Sequence, residues 1–197
     1  VTGAIETRTS RSPDSDYTIL LPGTWATIPL DDEAAFERRV GNIVKRQVGT
    51  GDRQARQRRQ MRDELVKTVI DAKAGGADSF ALSLELLPGV PFPAAMLTSV
   101  DGWAIDGITV TSVEERLAAS FPAFETLPLG GGHVARRAES GRKVIGSTVT
   151  PTLRMDYRVP RPDGESILKI TISAPMIEQS ELFVALFDAM VDSIIWN

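Results

Sequence analysis

Ser166-Ile-Leu-Lys-Ile-Thr-Ile-Ser-Ala174 decides how this chain is to be read. Apolar and polar side chains alternate along it, with Leu168, Ile170 and Ile172 on one face, which is the signature of a half-buried strand. Pro175 closes it. From Glu178 the period changes: Phe183, Leu186, Phe187, Met190 and Ile194 recur at helical spacing, while Glu181, Asp188 and Asp192 fall on the other side. The pattern predicts an amphipathic helix laid back on a sheet. Burying five such side chains contributes about 1.5 to 3 kcal/mol each, large beside a net domain stability of roughly 5 to 15 kcal/mol. The strand and its helix should therefore hold the core.

Working back toward the N-terminus, residues 1–16 are rich in Thr, Ser, Arg and Asp and read as a flexible arm. Tyr17-Thr-Ile-Leu-Leu21, closed by Pro22-Gly23, and a short piece around Trp25 and Ile28 read as strands. Asp31-Asp32-Glu33 supplies a capping carboxylate and an acidic first turn for a helix to about Val48, with Phe36, Val40, Ile43, Val44 and Val48 as its apolar stripe. Gly49-Thr50-Gly51 breaks it. Asp52 opens a second helix to about Lys73, so that about 31–74 forms an Arg-rich helical hairpin. Ser79 to Leu87 reads as a strand with Phe80, Leu82, Leu84 and Leu86 on one face, and Ala94 to Val100 and Gly107 to Val110 as shorter ones. Ser112-Val-Glu-Glu115 is a capping box opening a short helix that Pro122 stops. A flexible Gly130-Gly131-Gly132 loop then leads into three strands, His133 to Glu139, Lys143 to Tyr157 and Ser166 to Ala174, turning at Ser140-Gly141-Arg142 and Pro162-Asp163-Gly164. The order lacks regular βαβ alternation. It predicts an α+β fold over a single domain, residues 17–197, with a curved, mainly antiparallel sheet flanked by helices as an α/β/α sandwich.

Composition narrows the chemistry. The chain has 197 residues, 42% of them hydrophobic, and a net charge of -4, the balance of an ordinary soluble domain. The charge is unevenly spread: from Arg38 to Arg62 nine Lys or Arg stand against one acid, Asp52, so this segment carries +8 and the remainder -12. No cysteine is present, which excludes disulfides, thiolate nucleophiles and zinc-thiolate sites for this sequence. No apolar run approaches the ~18 residues of a membrane span, and the first sixteen residues lack the apolar stretch of a signal peptide, so the chain reads as cytoplasmic. It begins at Val1, which points either to a removed leader or to an unusual start codon.

Motifs for catalysis are weak. Gly130-Gly131-Gly132-His133-Val134-Ala135 fits a loose dinucleotide pattern, but Pro128 interrupts what precedes it and a strand follows where a helix N-terminus would have to meet a pyrophosphate. His133, the single histidine, has no Gly-x-Ser-x-Gly elbow to serve as a base, and one His without Cys makes no metal set. Glu114 and Glu115 are adjacent helix-start acids pointing in different directions. No cofactor, no metal and no catalytic residue is expected, and the chain reads as a protein that is not an enzyme. The basic cluster carries more. Arg38 and Lys45, like Arg39 and Arg46, are seven apart and share a helix face, and Arg53, Arg56, Arg59 and Arg62 continue at helical spacing on the second helix. It is either the solvated face of an amphipathic hairpin or a patch for an acidic protein partner or anionic lipid; nucleic acid is disfavoured because stacking aromatics are missing from the segment.

Tyr17-Thr-Ile-Leu-Leu-Pro22 followed by Trp25, a helix, an antiparallel sheet and a last helix closing on Phe187-Asp-Ala-Met-Val-Asp-Ser-Ile194 resembles the Mog1/PsbP-like superfamily, including its actinobacterial LpqN-type members, over roughly residues 17–196. The long Arg-rich second helix looks like an insertion relative to the simplest members. That family has no shared catalytic residues; its roles include binding a small GTPase, supporting a photosystem and, among the similar Eag-type chaperones, holding apolar segments of secreted bacterial effectors. The resemblance implies a bacterial binding scaffold. The expectation is a non-enzymatic adaptor or chaperone-like accessory protein, linked to bacterial secretion, that holds an acidic or apolar protein partner. The alternative is a carrier of a small molecule or lipid, with an apolar cleft lined by Trp103, Phe121 and Phe124.

Overall fold

The alternation in 166–174 folds into a strand with two chemically different faces, and the sheet takes its layers from it. The computed structural model describes residues 7–10, 16–28, 30, 32–48, 51–105, 112–145 and 148–197. In chain order the strands are β1 (Thr7–Ser10), β2 (Tyr17–Pro22), β3 (Thr24–Ile28), β4 (Ser79–Leu87), β5 (Val90–Pro91), β6 (Ala95–Gly102), β7 (Glu125–Leu129), β8 (Gly132–Ile145), β9 (Thr148–Pro160), β10 (Ser166–Pro175) and β11 (Ile195–Trp196). The helices are α1 (Glu33–Val48), α2 (Ala55–Ala74, entered by a 3-10 turn over Asp52–Gln54), α3 (Val113–Ser120) and α4 (Ser180–Asp192). The main sheet runs β3-β4-β6-β10-β9-β8-β7, with β5 beside β4, and a smaller one runs β1-β2-β11. Every pairing is antiparallel. The fold is α+β.

Register sorts the side chains. Ile170 stands between Thr98 and Tyr157, and Ile172 between Met96 and Met155, so one face of the sheet is a continuous apolar floor. Upon it lie Phe187, Met190 and Val191 of α4 together with Ile19 and Leu21 of the small sheet. Opposite, α1 and α2 bury Val40, Ile43, Val44 and Val69 against Ile28, Phe80 and Leu84 at one end of the sheet, and α3 covers the other end with Leu117 on Ala135 and Ile167. Helices thus occupy both faces. Asp32 accepts the Ala35 N-H and Ser112 Oγ accepts the Glu115 N-H, at 2.9 and 3.2 Å, starting α1 and α3 where the capping residues predict.

Several expectations need correction. Four residues of the expected arm, Thr7–Ser10, pair with Ile19–Pro22 as β1. Ser140-Gly141-Arg142 is not a turn: it pairs with Pro151–Leu153 inside β8, and the two long strands meet where Ile145 faces Thr148. Arg136 through Arg142 pairs without a break with Tyr157 through Pro151, so a lone Gly within it costs only some strand propensity and does not turn the chain. The Gly130 loop is instead a two-residue hairpin between β7 and β8: Gly130 and Gly131 have φ of 64° and 72°, the left-handed values that such turns require, and Leu129 faces Gly132. Pro128 is tolerated because β7 is an edge strand. Register irregularities around Glu85 put Leu86 on the α4 face, opposite Phe80, Leu82 and Leu84. Asp101-Gly102 belongs to β6, Ile194 follows α4 and leads into β11, and 107–110 lies outside the described residues.

Two acids on the polar side of α4 are tied to the sheet. Tyr157, buried under the helix, donates its hydroxyl to Asp188 Oδ1 at 2.8 Å, and Arg136 bridges Asp188 to Glu125, the latter at 2.6 Å. Burial, reinforced by the Asp188 charge, pushes the Tyr157 hydroxyl far above its ordinary value, so it stays a donor. Asp192 accepts the Gly130 N-H at 2.9 Å, tying the end of the helix to the hairpin turn.

Gly23 links the two sheets at φ +78°, and a Cβ there would sit 2.0 Å from the Glu85 carbonyl oxygen. Gly89 has nearly the same φ, +76°, with nothing within 4 Å. Gly89→Ala should therefore cost only the left-handed backbone term of about 1 to 2 kcal/mol. Gly23→Ala must also displace β4 from β3, and in urea unfolding its midpoint should fall well below that of Gly89→Ala; equal midpoints would mean that the β2–β3 link is not a tight approach.

Candidate functional site

Between the hairpin α1–α2 and α3, no helix among the described residues roofs the middle of one sheet face, and its side chains are mostly charged. Across β10, β9 and β8 the facing positions read Lys169–Arg158–Ala135, Thr171–Asp156–Arg137 and Ser173–Arg154–Glu139. Asp156 lies at the centre, its side chain 1% exposed. Arg154 grips it side-on, Nε to Oδ2 at 3.0 Å and Nη2 to Oδ1 at 3.1 Å, while Arg137 Nη2 donates to Oδ2 at 3.1 Å and Thr171 Oγ1 to Oδ1 at 2.7 Å. Burial pushes the Asp156 carboxyl up, but the hydrogen bonds from Arg154, Thr171 and Arg137 outweigh it and hold it below the ordinary carboxylate range. The guanidinium of Arg154, held mainly by its hydrogen bonds to Asp156, is shifted up in turn.

The three residues expected to line an apolar cleft do come together, but as a small core. Trp103 is 7% exposed, packs with Leu117, Ala135 and Ile167, donates Nε1 to the Gly164 carbonyl at 3.1 Å, and carries the Arg116 guanidinium over its ring at 3.9 Å. It has no face left to line a cleft. Phe121 and Phe124 are half-buried at the border of the charged face, their centroids 5.8 Å apart. Arg137 lies 5.0 Å from the Phe124 centroid, and Arg158 lies 4.9 Å from that of Phe124 and 5.7 Å from that of Phe121. Burial, the largest influence on Arg158, draws its guanidinium below the ordinary arginine value. Two cations thus share one aromatic platform, an arrangement that desolvates them without neutralising them.

The helical patch divides. Arg38, Lys45, Arg46, Arg53, Arg56 and Arg59 are exposed and make no ion pair among the described residues. Arg39 and Arg62 have structural work: Arg39 donates Nε to the Thr27 carbonyl of β3 at 3.0 Å, and Arg62 pairs with Glu37, joining α2 to α1. Arg58, which the helical-spacing argument passed over, donates to the Gly51 carbonyl at 2.6 Å. His133 is half-exposed and 3.6 Å from Glu114, which is exposed in turn. Glu114 and Glu115 occupy the first turn of α3, where carboxylates favour the helix dipole. No group of three metal-ligating side chains occurs among the described residues. None of their helices is long and apolar enough to cross a membrane.

Asp156, Arg137, Arg154, Arg158 and Lys169 went unnoticed in the sequence. Their signal was present: Arg154-Met-Asp-Tyr-Arg158 alternates charge with bulk, so that one face had to be both charged and covered by neighbours. Asp156→Asn keeps the shape and removes the charge that holds two guanidinium groups. Because those groups also reach solvent, the loss at neutral pH should be about 1 to 3 kcal/mol. Since the folded pKa of Asp156 is depressed, its contribution is complete above the unfolded carboxylate value near ~3.9 and is lost as pH falls through the folded value. The stability gap between wild type and Asp156→Asn in urea should therefore close in acid; a gap that does not change with pH would mean that packing, not charge, is what Asp156 supplies. Set beside models of known protein families and beside curated proteins, the sequence matches none.

Proposed function

We propose that this protein is a non-enzymatic binding scaffold that takes an acidic protein partner on the α1–α2 hairpin, in the manner of an adaptor or chaperone-like accessory protein of bacterial secretion. The observation that carries the reading is the set of six exposed cations, Arg38, Lys45, Arg46, Arg53, Arg56 and Arg59, which make no ion pair among the described residues, on a hairpin anchored to the core through Val40, Ile43, Val44 and Val69. A stable fold does not need that set. Exposed pairs contribute little to stability, yet an uncompensated positive surface on a chain of net charge -4 steers and orients an acidic partner. Arg forks also suit carboxylates geometrically.

Charge reversal at Arg53, Arg56 and Arg59 leaves every buried contact of the hairpin in place, because all three are exposed. The triple Glu variant should melt as wild type does. It should lose binding to polyglutamate, and to any protein that the wild type retains from native lysate at low salt and releases at high salt, where exposed charges are screened. Polyglutamate binding that survives the reversal, or that is indifferent to salt, would remove the hairpin from the account.

A further inference from the structure

Most cations on the open sheet face are already spent. Arg154 gives its Nε and Nη2 edge to both oxygens of Asp156, Arg137 is divided between Asp156 and Glu139, and Lys169 pairs with Asp101. Arg158 differs. Its Nη1 donates to the Tyr157 carbonyl at 2.8 Å, which fixes the orientation of the guanidinium; its Nε, like that of Arg137, is buried without a hydrogen bond, but Arg137 Nε has Glu139 at 3.2 Å and Arg158 makes no ion pair among the described residues. No bond from its Nη2 is formed among them either. The Nη2 with which Arg154 holds a carboxylate is, in Arg158, unclaimed.

Charge and surroundings both restrict what such a donor can take. These rows carry four cations, Arg137, Arg154, Arg158 and Lys169, against two carboxylates, Glu139 and Asp156; Asp101, which pairs with Lys169 from the neighbouring row opposite Ile167, is a third and brings the local balance of these described side chains to a single positive charge. A dianion would meet the three carboxylates at close range with only one cation to oppose them, whereas a monoanion completes the count. Phe121 and Phe124 flank the guanidinium and offer apolar surface beside it. The same rings have already removed part of its hydration, so an anion meets a cation whose desolvation has been met by folding.

We propose that this corner of the sheet is a binding site for a small organic monocarboxylate, whose carboxylate accepts from the unclaimed Nη2 of Arg158 and whose apolar body lies along Phe121 and Phe124. The site does not depend on the hairpin, and the two can be tested apart. Titrating the nitrogen-15-labelled protein with sodium benzoate, sodium acetate and inorganic phosphate, at constant ionic strength, follows the arginine Nε-H resonances directly. One of these, absent from the spectrum of Arg158→Lys, should move saturably with benzoate, and more weakly with acetate or phosphate. Arg158→Lys keeps the charge but loses the fixed Nη2 donor and the planar group over the rings, and should weaken benzoate by about tenfold or more, the scale of one charge-assisted hydrogen bond. Phe124→Leu should bring benzoate down to the affinity of acetate, and the triple Glu reversal on the hairpin should change neither. No saturable movement of the Arg158 resonance in the wild type, phosphate binding tighter than benzoate, or loss of benzoate binding on hairpin reversal would each overturn the assignment.

Discussion

The structure rests on the alternation of β9 and β10, strands that must satisfy an apolar floor on one side and a charged surface on the other. Tyr157, Met155, Ile170 and Ile172 are each fully buried beneath α4, while between them Asp156 is equally buried on the opposite face and holds its charge only because Arg154, Arg137 and Thr171 donate to it. A one-residue slip in the β9–β10 register would turn Asp156, with Arg154 and Arg158, into the apolar layer under α4 and turn Tyr157 and Met155 out to the charged face. The buried carboxylate therefore acts as a register lock: an apolar residue of the same size could pack there, but it would no longer penalise the slipped pairing.

That lock explains how the layers divide. Where the second face is apolar, at Phe80, Leu82, Leu84 and Leu97, the α1–α2 hairpin covers it; where it carries Ala135 and Ile167, α3 covers it. Between them the charged rows meet solvent, since no amphipathic helix could bury Arg154 and Lys169 without stripping their water. On the other face α4 shares the cover with the small sheet, and two of its acids find partners there, half-buried Asp188 with Tyr157 and Arg136, exposed Asp192 with the Gly130 amide. Those ties orient α4 along the sheet, a matter on which its apolar stripe alone is silent.

Elements with a clean period were legible in the sequence. β10, β4, the capping carboxylate of α1, the Ser112 cap of α3 and the break between α1 and α2 follow from local side-chain chemistry, and so does the α+β class. What was not legible depends on pairing. Gly141 reads as a turn residue until a long partner strand is known to run past it, and Gly130-Gly131 reads as a loose loop until β7, with its Pro128, is recognised as an edge strand. Asp188 and Asp192 look like solvent residues on a helical wheel because the wheel carries no information about a hairpin beyond the end of the sheet. The aromatic residues 103, 121 and 124 were correctly grouped, yet only packing could separate a buried Trp103 from the two rings that flank Arg158.

The two positive surfaces of the molecule differ in the physics that gives them affinity. The hairpin cations sit in full solvent, so each contributes weakly and through number, and salt should erase their effect. Arg158 stands alone but is partly desolvated and geometrically fixed, so its attraction for a carboxylate falls less with salt and depends on whether the carboxylate can reach Nη2. An acidic protein surface, large and mobile, suits the first kind of site. A compact acid with an apolar body suits the second, since only a small ligand can present its charge between Phe124 and the β9 backbone while keeping the rest of itself on the rings. Ionic strength therefore separates the two surfaces before any mutation does: a ligand released by salt belongs to the helices, and one that persists belongs to the sheet.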